Sequence, residues 1–302
     1  MQDNQPFDAV VIGAGPGGLT AALYLARFRR RFLVLDAGHS RAAWIPTTHN
    51  HPGFPKGIVG KALLARMRRH AVRYGATIRK TWVDGLKPVE GGFEITAGRH
   101  RFSARTVLLA TGVIDNEPLL PGLEQAGAKG LIRLCPICDG YEAMGQSIGI
   151  IGHSEHGARE ALFLRTWSDQ VTLIHVGEPQ ALTGADRAGL AQDGVKLIET
   201  PIQQVHIEKD RIVALSLDGE VCKFDTVYSA LGTTPRYLLA QQAGAAVDDQ
   251  GRLIVSEHQH TSVDGLYAAG DLVRGLNQMT VAEAEAAIAA TDIHNRLRAQ
   301  GL

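Results

Sequence analysis

The amino-acid sequence predicts an α/β protein with two Rossmann-like, three-layer nucleotide-binding domains in tandem. Two strand–helix–strand patterns carry this prediction, one at residues 7–35 and the other at residues 147–175. In each pattern a short apolar strand leads through a turn into a segment with helical spacing, and a second apolar strand follows. Repetition of this unit is typical of folds with parallel sheets. A chain of 302 residues has room for two such domains.

The individual elements follow from apolar periodicity and from the positions of glycine and proline. Within the two patterns, strands are predicted at residues 7–12, 32–35, 147–151 and 171–175, and helices at residues 19–28 and 156–167. Further helices are predicted at residues 61–74, after a Pro/Gly-rich loop, and at residues 278–297, where alanine and glutamate favour a helix. Short strands are predicted at residues 77–83, 93–96, 106–110, 220–224 and 266–269.

Composition and charge exclude several classes of function. The 31 Lys and Arg residues equal the 31 Asp and Glu residues, so no electrostatic observation supports a nucleic-acid partner. The N-terminal residues lack the features of a signal peptide, and no run is long and apolar enough to span a bilayer. These features predict a cytoplasmic protein without membrane contact. Three cysteines are too few for a secreted disulfide scaffold.

The turn of the first pattern is a dinucleotide-binding fingerprint. Its glycines permit a tight turn at Gly13, close approach of a pyrophosphate at Gly15 and close packing of helix on strand at Gly18. The N-terminus of the following helix faces the phosphates, and Asp36 in the next strand can accept hydrogen bonds from a ribose. A purely structural turn is the alternative. The full segment reads Gly13-Ala14-Gly15-Pro16-Gly17-Gly18.

Cys135 and Cys138 are separated by two residues and can close a small disulfide. If they lie at a helix N-terminus, the dipole favours the reactive thiolate. Asp139 follows directly and can exchange protons with the dithiol, provided that burial raises its pKa. Half of a zinc site is the alternative, but no second Cys-x-x-Cys motif completes it, and we predict no metal. Cys222 is predicted to pack as a small apolar residue.

The fingerprint and four further motifs, spread over nearly the whole chain, resemble those of the low-molecular-weight thioredoxin reductases, which are FAD-dependent disulfide oxidoreductases. The four motifs are His49-Asn50-His51-Pro52-Gly53, Leu108-Leu109-Ala110-Thr111-Gly112, Cys135-Pro136-Ile137-Cys138-Asp139-Gly140 and Leu266-Tyr267-Ala268-Ala269-Gly270-Asp271. The resemblance implies an FAD-binding domain formed by residues 1–117 and 247–302. It also implies that residues 118–246 form an inserted domain, with the redox disulfide and a degenerate NAD(P)H-type fold.

The resemblance further implies roles for individual residues. Cys138 would face the flavin, Cys135 would attack the substrate disulfide, and Asp139 would act as acid and base. Asn50 would lie against the isoalloxazine ring, with Gln278 near its pyrimidine edge. The residues implied for FAD binding are Gly13, Gly15, Pro16, Gly17, Gly18, Asp36, Ala37, Asn50, Thr111, Gly112, Gly270, Asp271, Gln278 and Met279.

The second turn departs from the family pattern. Ser154 replaces the glycine of closest approach, and its side chain would obstruct a pyrophosphate. The following strand ends at His175 and continues Val176-Gly177-Glu178, without the paired arginines that grip the 2′-phosphate of NADPH in the family. We therefore predict that NADPH is not the direct electron donor.

The sequence is similar to the subset of the family without NADPH motifs, which includes deeply branching and ferredoxin-dependent flavin thioredoxin reductases. The leading hypothesis is that reduced flavin passes electrons through Cys135 and Cys138 to a protein disulfide, with thioredoxin as the expected substrate. The alternatives are an oxygen-dependent dithiol oxidase of a small molecule and a flavin-bound redox sensor. If ferredoxin is the donor, the arginines of residues 27–31 and 66–73 could bind it. The alternative is that these arginines only form a solvent-exposed surface. The resemblance also implies a homodimer.

Overall fold

The computed structural model describes residues 5–118, 120, 121, 131–209 and 211–302. Contacts divide the chain into two compact units. The first consists of Met1–Ile45, Ile58–Ile114 and Thr234–Leu302, and the second of Pro46–Gly57 and Asp115–Thr233. Compared with the predicted domains, residues 46–57 and 115–117 lie in the second unit and residues 234–246 in the first.

The first unit contains a seven-stranded sheet and the three longest helices of the described chain. Its strands are β1 (Phe7–Ile12), β2 (Phe32–Asp36), β3 (Ile78–Lys80), β4 (Gly85–Val89), β5 (Gly92–Ala97), β6 (His100–Leu109) and β16 (Leu266–Ala268). Its helices are α1 (Pro16–Arg27), α2 (Gly60–Arg73), α6 (Leu238–Gln242) and α7 (Met279–Ala299). The strand order is β3-β2-β1-β6-β5-β4, with β16 on β6.

The parallel centre of this sheet is buried on both faces, which explains why its strands read as continuous apolar runs. Ile12 at the end of β1 pairs with Leu35 on one side and Leu109 on the other. One face packs against α1 and α7 through Leu19, Leu25 and the buried alanines of α7. Because β1, β2, β6 and β16 run parallel, their carboxyl ends meet at one edge of the sheet.

The second unit contains a four-stranded parallel sheet and a three-stranded antiparallel sheet. The parallel sheet has the order β10-β9-β8-β14, and the antiparallel sheet has the order β11-β12-β13. The strands are β8 (Ile148–Gly152), β9 (Val171–His175), β10 (Lys196–Ile198), β11 (Ile202–Glu208), β12 (Arg211–Leu217), β13 (Glu220–Lys223) and β14 (Thr226–Ala230). The helices are α3 (Pro136–Asp139), α4 (Ser154–Leu164) and α5 (Gly184–Gln192). Two short strands, β7 (Val113–Asp115) and β15 (Thr233–Pro235), pair where the chain passes between units.

The structure confirms both predicted strand–helix–strand patterns and changes some boundaries. The predicted strand at 77–83 is reduced to β3, which is an edge strand that pairs only with β2. Strand β4 was not predicted, because it contains Gly85 and Pro88, two residues that disfavour strands. Among the described helices, none is long and apolar enough to cross a membrane.

Candidate redox site and nucleotide-binding turns

Cys135 and Cys138 are joined by a disulfide bond in the second unit, with their Cα atoms 5.2 Å apart. Cys135 precedes the single helical turn α3, and the amide of Cys138 donates to the Cys135 carbonyl at 2.9 Å. Gly140 ends this turn. A Cβ on Gly140 would overlap the Trp167 ring, so close packing requires glycine immediately after the predicted catalytic segment.

The Asp139 carboxylate is held by two side chains from outside its own turn. The hydroxyl of Tyr228, on β14, donates to Asp139 Oδ1 at 2.8 Å. Arg133 Nη1 lies 3.5 Å from Asp139 Oδ2 and donates to the Asp139 carbonyl at 3.1 Å. Tyr228 is fully buried, and the side chain of Asp139 is 26% exposed. The carboxylate therefore lies in a partly desolvated position directly beside the disulfide turn.

Burial raises the pKa of Asp139 above its ordinary value, and the Tyr228 hydrogen bond and the Arg133 charge oppose this shift. Burial and the neighbouring Asp139 raise the pKa of Tyr228, so its hydroxyl keeps its proton and acts as a donor. A carboxyl group whose pKa is displaced toward neutrality suits proton exchange with thiols.

In the fingerprint turn of the first unit there is room for a side chain at Gly15, but not at Gly13 or Gly18. A Cβ on Gly13 would overlap the Ala110 carbonyl, and a Cβ on Gly18 would overlap the Gly13 carbonyl. At Gly15 a Cβ would meet only the Ser40 hydroxyl, at 3.4 Å. Gly15 is the N-cap of α1, and no described side chain caps this end. The first-turn N–H groups are thus presented to a ligand, so the turn fits the pyrophosphate of a dinucleotide.

The other predicted cofactor residues of the first unit follow the carboxyl ends of its parallel strands. Asp36 accepts from the Gly38 amide at 3.1 Å and forms a 2.7 Å ion pair with Arg68 of α2. Oδ2 of Asp271 lies 3.5 Å from Nη1 of Arg41. Grouped by position, these residues are Asp36 at the end of β2 and Ala37 after it, Thr111 and Gly112 after β6, Gly270 and Asp271 after β16, and Gln278 and Met279 at the start of α7.

Asn50 is the predicted cofactor residue that the structure places in the second unit. Its side-chain oxygen accepts from the Thr48 hydroxyl at 2.9 Å, and its amide donates to the Ile137 carbonyl at 3.4 Å. Ile137 lies between the two cysteines. The loop at residues 46–57 therefore contacts the disulfide turn, and Asn50 lies beside the redox site.

The turn of the second unit keeps the two packing glycines and has Ser154 at the position that Gly15 occupies in the first unit. A Cβ on Gly152 would lie 2.9 Å from Gly157 Cα, so α4 packs closely on β8. Between them, Ser154 has a φ of 52°, in the left-handed region. Its amide donates to Nε2 of His175 at 3.2 Å. Burial lowers the pKa of His175, which is 3% exposed, so the ring stays neutral and accepts the hydrogen bond that a phosphate would accept.

Several arginines of the two predicted ferredoxin-docking stretches are engaged within the first unit. Arg30 donates to Nδ1 of His294 at 2.9 Å, and the Arg27 guanidinium lies 4.8 Å from the centre of the Tyr74 ring. Arg68 pairs with Asp36, as described above. These contacts give Arg27, Arg30 and Arg68 a role within the fold and favour a structural role for them over ferredoxin docking.

The chain matches the family described as pyridine nucleotide-disulphide oxidoreductase over residues 7–286, nearly its whole length. It belongs to that family. Thioredoxin reductase from Mycolicibacterium smegmatis is 32% identical over 296 residues, which cover 94% of each chain. Thioredoxin reductase from Bacillus subtilis strain 168 is 27% identical over 310 residues, 98% of this chain and 96% of the relative. The crystal structure of HlmI matches with a TM-score of 0.90 at 32% identity, covering 100% of this chain and 95% of that one.

Membership of the pyridine nucleotide-disulphide oxidoreductase family confirms the predicted fold class and the predicted class of enzyme. The protein is a flavoprotein disulfide oxidoreductase of thioredoxin reductase type, and the Cys135–Cys138 disulfide fits this chemistry. The family implies FAD, and the open position at Gly15 is compatible with it. The departures from the family pattern are Ser154, at the glycine position of the second turn, and the residues that follow His175, which include no arginine at positions 176–178.

The sequence did not predict that four side chains contact the predicted site residues: Tyr228, Arg133, Glu285 and Arg68. Tyr228 lies in the apolar strand β14, where an aromatic residue is typical of a core, and Arg133 gives no local signal of contact with Asp139. In the first unit, burial raises the pKa of Glu285, which accepts from the Gly270 amide at 2.7 Å. Only the tertiary fold brings these residues, and Arg68, to the predicted ones.

Proposed function

We propose that the protein is an FAD-dependent thiol–disulfide oxidoreductase in which electrons pass from the flavin through Cys135 and Cys138 to a protein disulfide, without NADPH bound to the second unit. The first unit would hold FAD on the first-turn amides of α1, including those of Gly17 and Gly18, and on Asp36. When bound there, FAD supplies or accepts the two electrons of the dithiol–disulfide couple.

The two cysteines carry out the exchange in two balanced steps. The Cys135 thiolate attacks one sulfur of the substrate disulfide, a mixed disulfide forms, and one substrate thiolate leaves and takes a proton. The Cys138 thiolate then attacks Sγ of Cys135, so that the internal disulfide reforms and the second substrate thiolate leaves. Asp139 takes the proton of the attacking thiol and returns a proton to the departing one.

The hydrogen bond from the Ser154 amide to His175 is the observation that supports independence from NADPH. It uses a donor at the N-terminus of α4 on which a pyrophosphate would otherwise lie. Ser154 also carries a Cβ at the position of closest approach, the paired arginines are missing directly after His175, and Glu178 would repel the 2′-phosphate.

Thioredoxin is the substrate class that we propose, because relatives at 32% and 27% identity over nearly the whole chain are thioredoxin reductases. Exposed apolar side chains surround the disulfide and suit a protein surface: Leu134, Ile137, Tyr141 and Met144. Reduced ferredoxin is the donor to test first, although the arginines proposed to receive it have partners within the first unit.

A dithiol oxidase is the second candidate, and the blocked turn at Ser154 favours it too. In that direction a small dithiol loses two electrons and two protons through the Cys135–Cys138 disulfide, and O₂ is reduced to hydrogen peroxide. No nicotinamide donor is required. Peroxide formed in stoichiometric amounts from a small dithiol, without any reduction of thioredoxin, would establish this candidate in place of the first.

The decisive experiment is anaerobic and uses the FAD-loaded protein. The flavin absorbance is followed after separate additions of NADPH, NADH, reduced ferredoxin and dithiothreitol. We expect dithiothreitol to bleach the flavin through the disulfide, and a Cys138→Ser control to stop this. We expect neither nicotinamide to bleach it; rapid bleaching by NADPH would refute the proposed independence, and bleaching by ferredoxin would identify the donor.

A further inference from the structure

Tyr228 is placed against Asp139 by backbone pairing, and not by the disulfide turn itself. Strand β14 is fully buried and pairs with β8, where Tyr228 lies opposite Ile150. The segment before the disulfide adds to the other side of β14: the Arg133 amide donates to the Val227 carbonyl at 2.9 Å, and the Ser229 amide donates to the Arg133 carbonyl at 2.9 Å. Arg133 and Tyr228 are therefore fixed side by side.

Both of these side chains converge on Asp139. The Tyr228 hydroxyl reaches the carboxylate at 2.8 Å and the main-chain carbonyl of the same residue at 3.3 Å. Arg133 Nη1 reaches the carboxylate, the carbonyl of Asp139 and the Tyr228 hydroxyl, the last at 3.5 Å. The three residues thus form a closed network, in which each side chain contacts the other two.

The hydroxyl of Tyr228 has no packing reason to be present. The ring is fully buried, and a phenylalanine ring would fill the same space. Burying a hydroxyl is unfavourable unless it is hydrogen-bonded, and its bonds here all go to Asp139 and Arg133. A group with this cost and these partners indicates a function connected with the carboxylate.

We propose that Tyr228, fixed beside Arg133, is a positioning residue that holds the Asp139 carboxylate at the disulfide and sets the pH at which Asp139 exchanges protons with the Cys135–Cys138 couple. This inference rests on the proposed function, in which Asp139 serves that couple. In this proposal Tyr228 acts on the two cysteines through Asp139.

The direction of the effect follows from the charged form of Asp139. A hydroxyl that donates to the carboxylate, and a guanidinium beside it, both stabilise the ionised carboxylate. Two other charged groups face it: Glu142, from the turn after α3, opposes ionisation, and His49 favours it when protonated. His49 and Glu142 lie 3.8 Å apart and partly offset each other. Loss of the Tyr228 hydroxyl should therefore raise the pKa of Asp139.

The test measures the reduction of the FAD-loaded protein by dithiothreitol, without oxygen, across a range of pH. One dithiothreitol thiolate attacks the disulfide, forms a mixed disulfide and releases one cysteine thiolate; the second thiol then closes the cyclic disulfide of dithiothreitol and releases the other cysteine thiolate. With FAD bound, the dithiol would give its two electrons to the flavin, and the internal disulfide would reform. We expect Tyr228→Phe to move the pH midpoint of the limb that Asp139 controls upward by about one unit. The thiol ionisation of dithiothreitol is common to all variants and cancels in their ratio.

Three variants complete the design. Asp139→Asn should remove one limb of the pH–rate profile, which shows that the ionisation of Asp139 controls that limb. Arg133→Gln should move the midpoint in the same direction as Tyr228→Phe. Tyr267→Phe is the matched control, because Tyr267 is also fully buried and donates to a carboxylate, Asp292, at 2.8 Å, but lies in the first unit. This control should leave the midpoint unchanged.

The outcomes distinguish failure of the proposed role of Tyr228 from failure of the proposed function. If Asp139→Asn removes the limb and Tyr228→Phe leaves it at the wild-type pH, the role of Tyr228 is refuted and the proposed function stands. If Tyr267→Phe moves the midpoint as far as Tyr228→Phe does, the effect is not local and the role is refuted as well. If dithiothreitol reduces the flavin of Cys138→Ser as fast as that of the wild type, the proposed function fails and Tyr228 loses its role with it.

Discussion

Ser154 places a side chain at the glycine position of a turn that otherwise keeps its packing glycines. Its φ of 52° lies in the left-handed region, where a Cβ crowds the backbone and glycine is favoured. In the first unit the corresponding residue is Gly15, whose φ of −72° imposes no such strain. The serine therefore carries a conformational cost and, through its amide, a hydrogen bond to His175.

Replacement of Ser154 by glycine should increase the free energy of unfolding by about 1 kcal/mol, because the strain at positive φ is relieved. Ser154→Ala is the matched control, since it removes the hydroxyl and keeps the Cβ; we expect no gain from it. Chemical denaturation of both variants measures the effect. Equal stability of the two variants would show that the left-handed conformation costs nothing at this position.

At the scale of elements, the pairing of α1 with α7 depends on small side chains. Ala282, Ala286, Ala289 and Ala290 of α7 are buried, and Ala21 and Ala22 of α1 lie in the same core. The Ala282 carbonyl oxygen lies 3.1 Å from the position of a Cβ on Gly17, in the first turn of α1. The small face of α7 thus brings its first turn close to the fingerprint.

Ala286→Leu should destabilise the protein by about 1–3 kcal/mol, because the larger side chain cannot fit between α7 and α1 without shifting one of them. Ala284→Leu, on the exposed side of the same helix, is the control and should be close to neutral. Thermal unfolding of both variants distinguishes them. A neutral Ala286→Leu would mean that the two helices do not pack as closely as described.

For the whole molecule, the central question is the direction in which electrons cross the disulfide. The two units contain the parts that the proposed chemistry requires: an open turn that fits a dinucleotide in the first, and a disulfide followed by Asp139, the proposed acid–base residue, in the second. The second Rossmann-like fold supports the disulfide, while its own turn is occupied by His175. This combination is consistent with a flavoenzyme whose reductant, or oxidant, is not a nicotinamide.

Cys135→Ser should abolish catalytic reduction of thioredoxin by the dithionite-reduced protein, because no mixed disulfide can form, while FAD content stays unchanged. Multiple-turnover assays with oxidised thioredoxin measure this directly. Wild-type protein under the same conditions should turn over many times. A Cys135→Ser variant that reduces thioredoxin at the wild-type rate would contradict the assignment of Cys135 as the attacking residue.

The sequence by itself determined the α/β class, both strand–helix–strand units and the pairing chemistry of Cys135 and Cys138, because these depend on local periodicity and short spacing. It also exposed the anomaly at Ser154, since one side chain at a glycine position is visible without coordinates. The tertiary structure alone decided which groups meet across long separations. Tyr228 reaches Asp139 from 89 residues away, and the His175 ring reaches the Ser154 amide from 21 residues away. Such contacts are set by strand order and packing, which leave no local pattern in the chain.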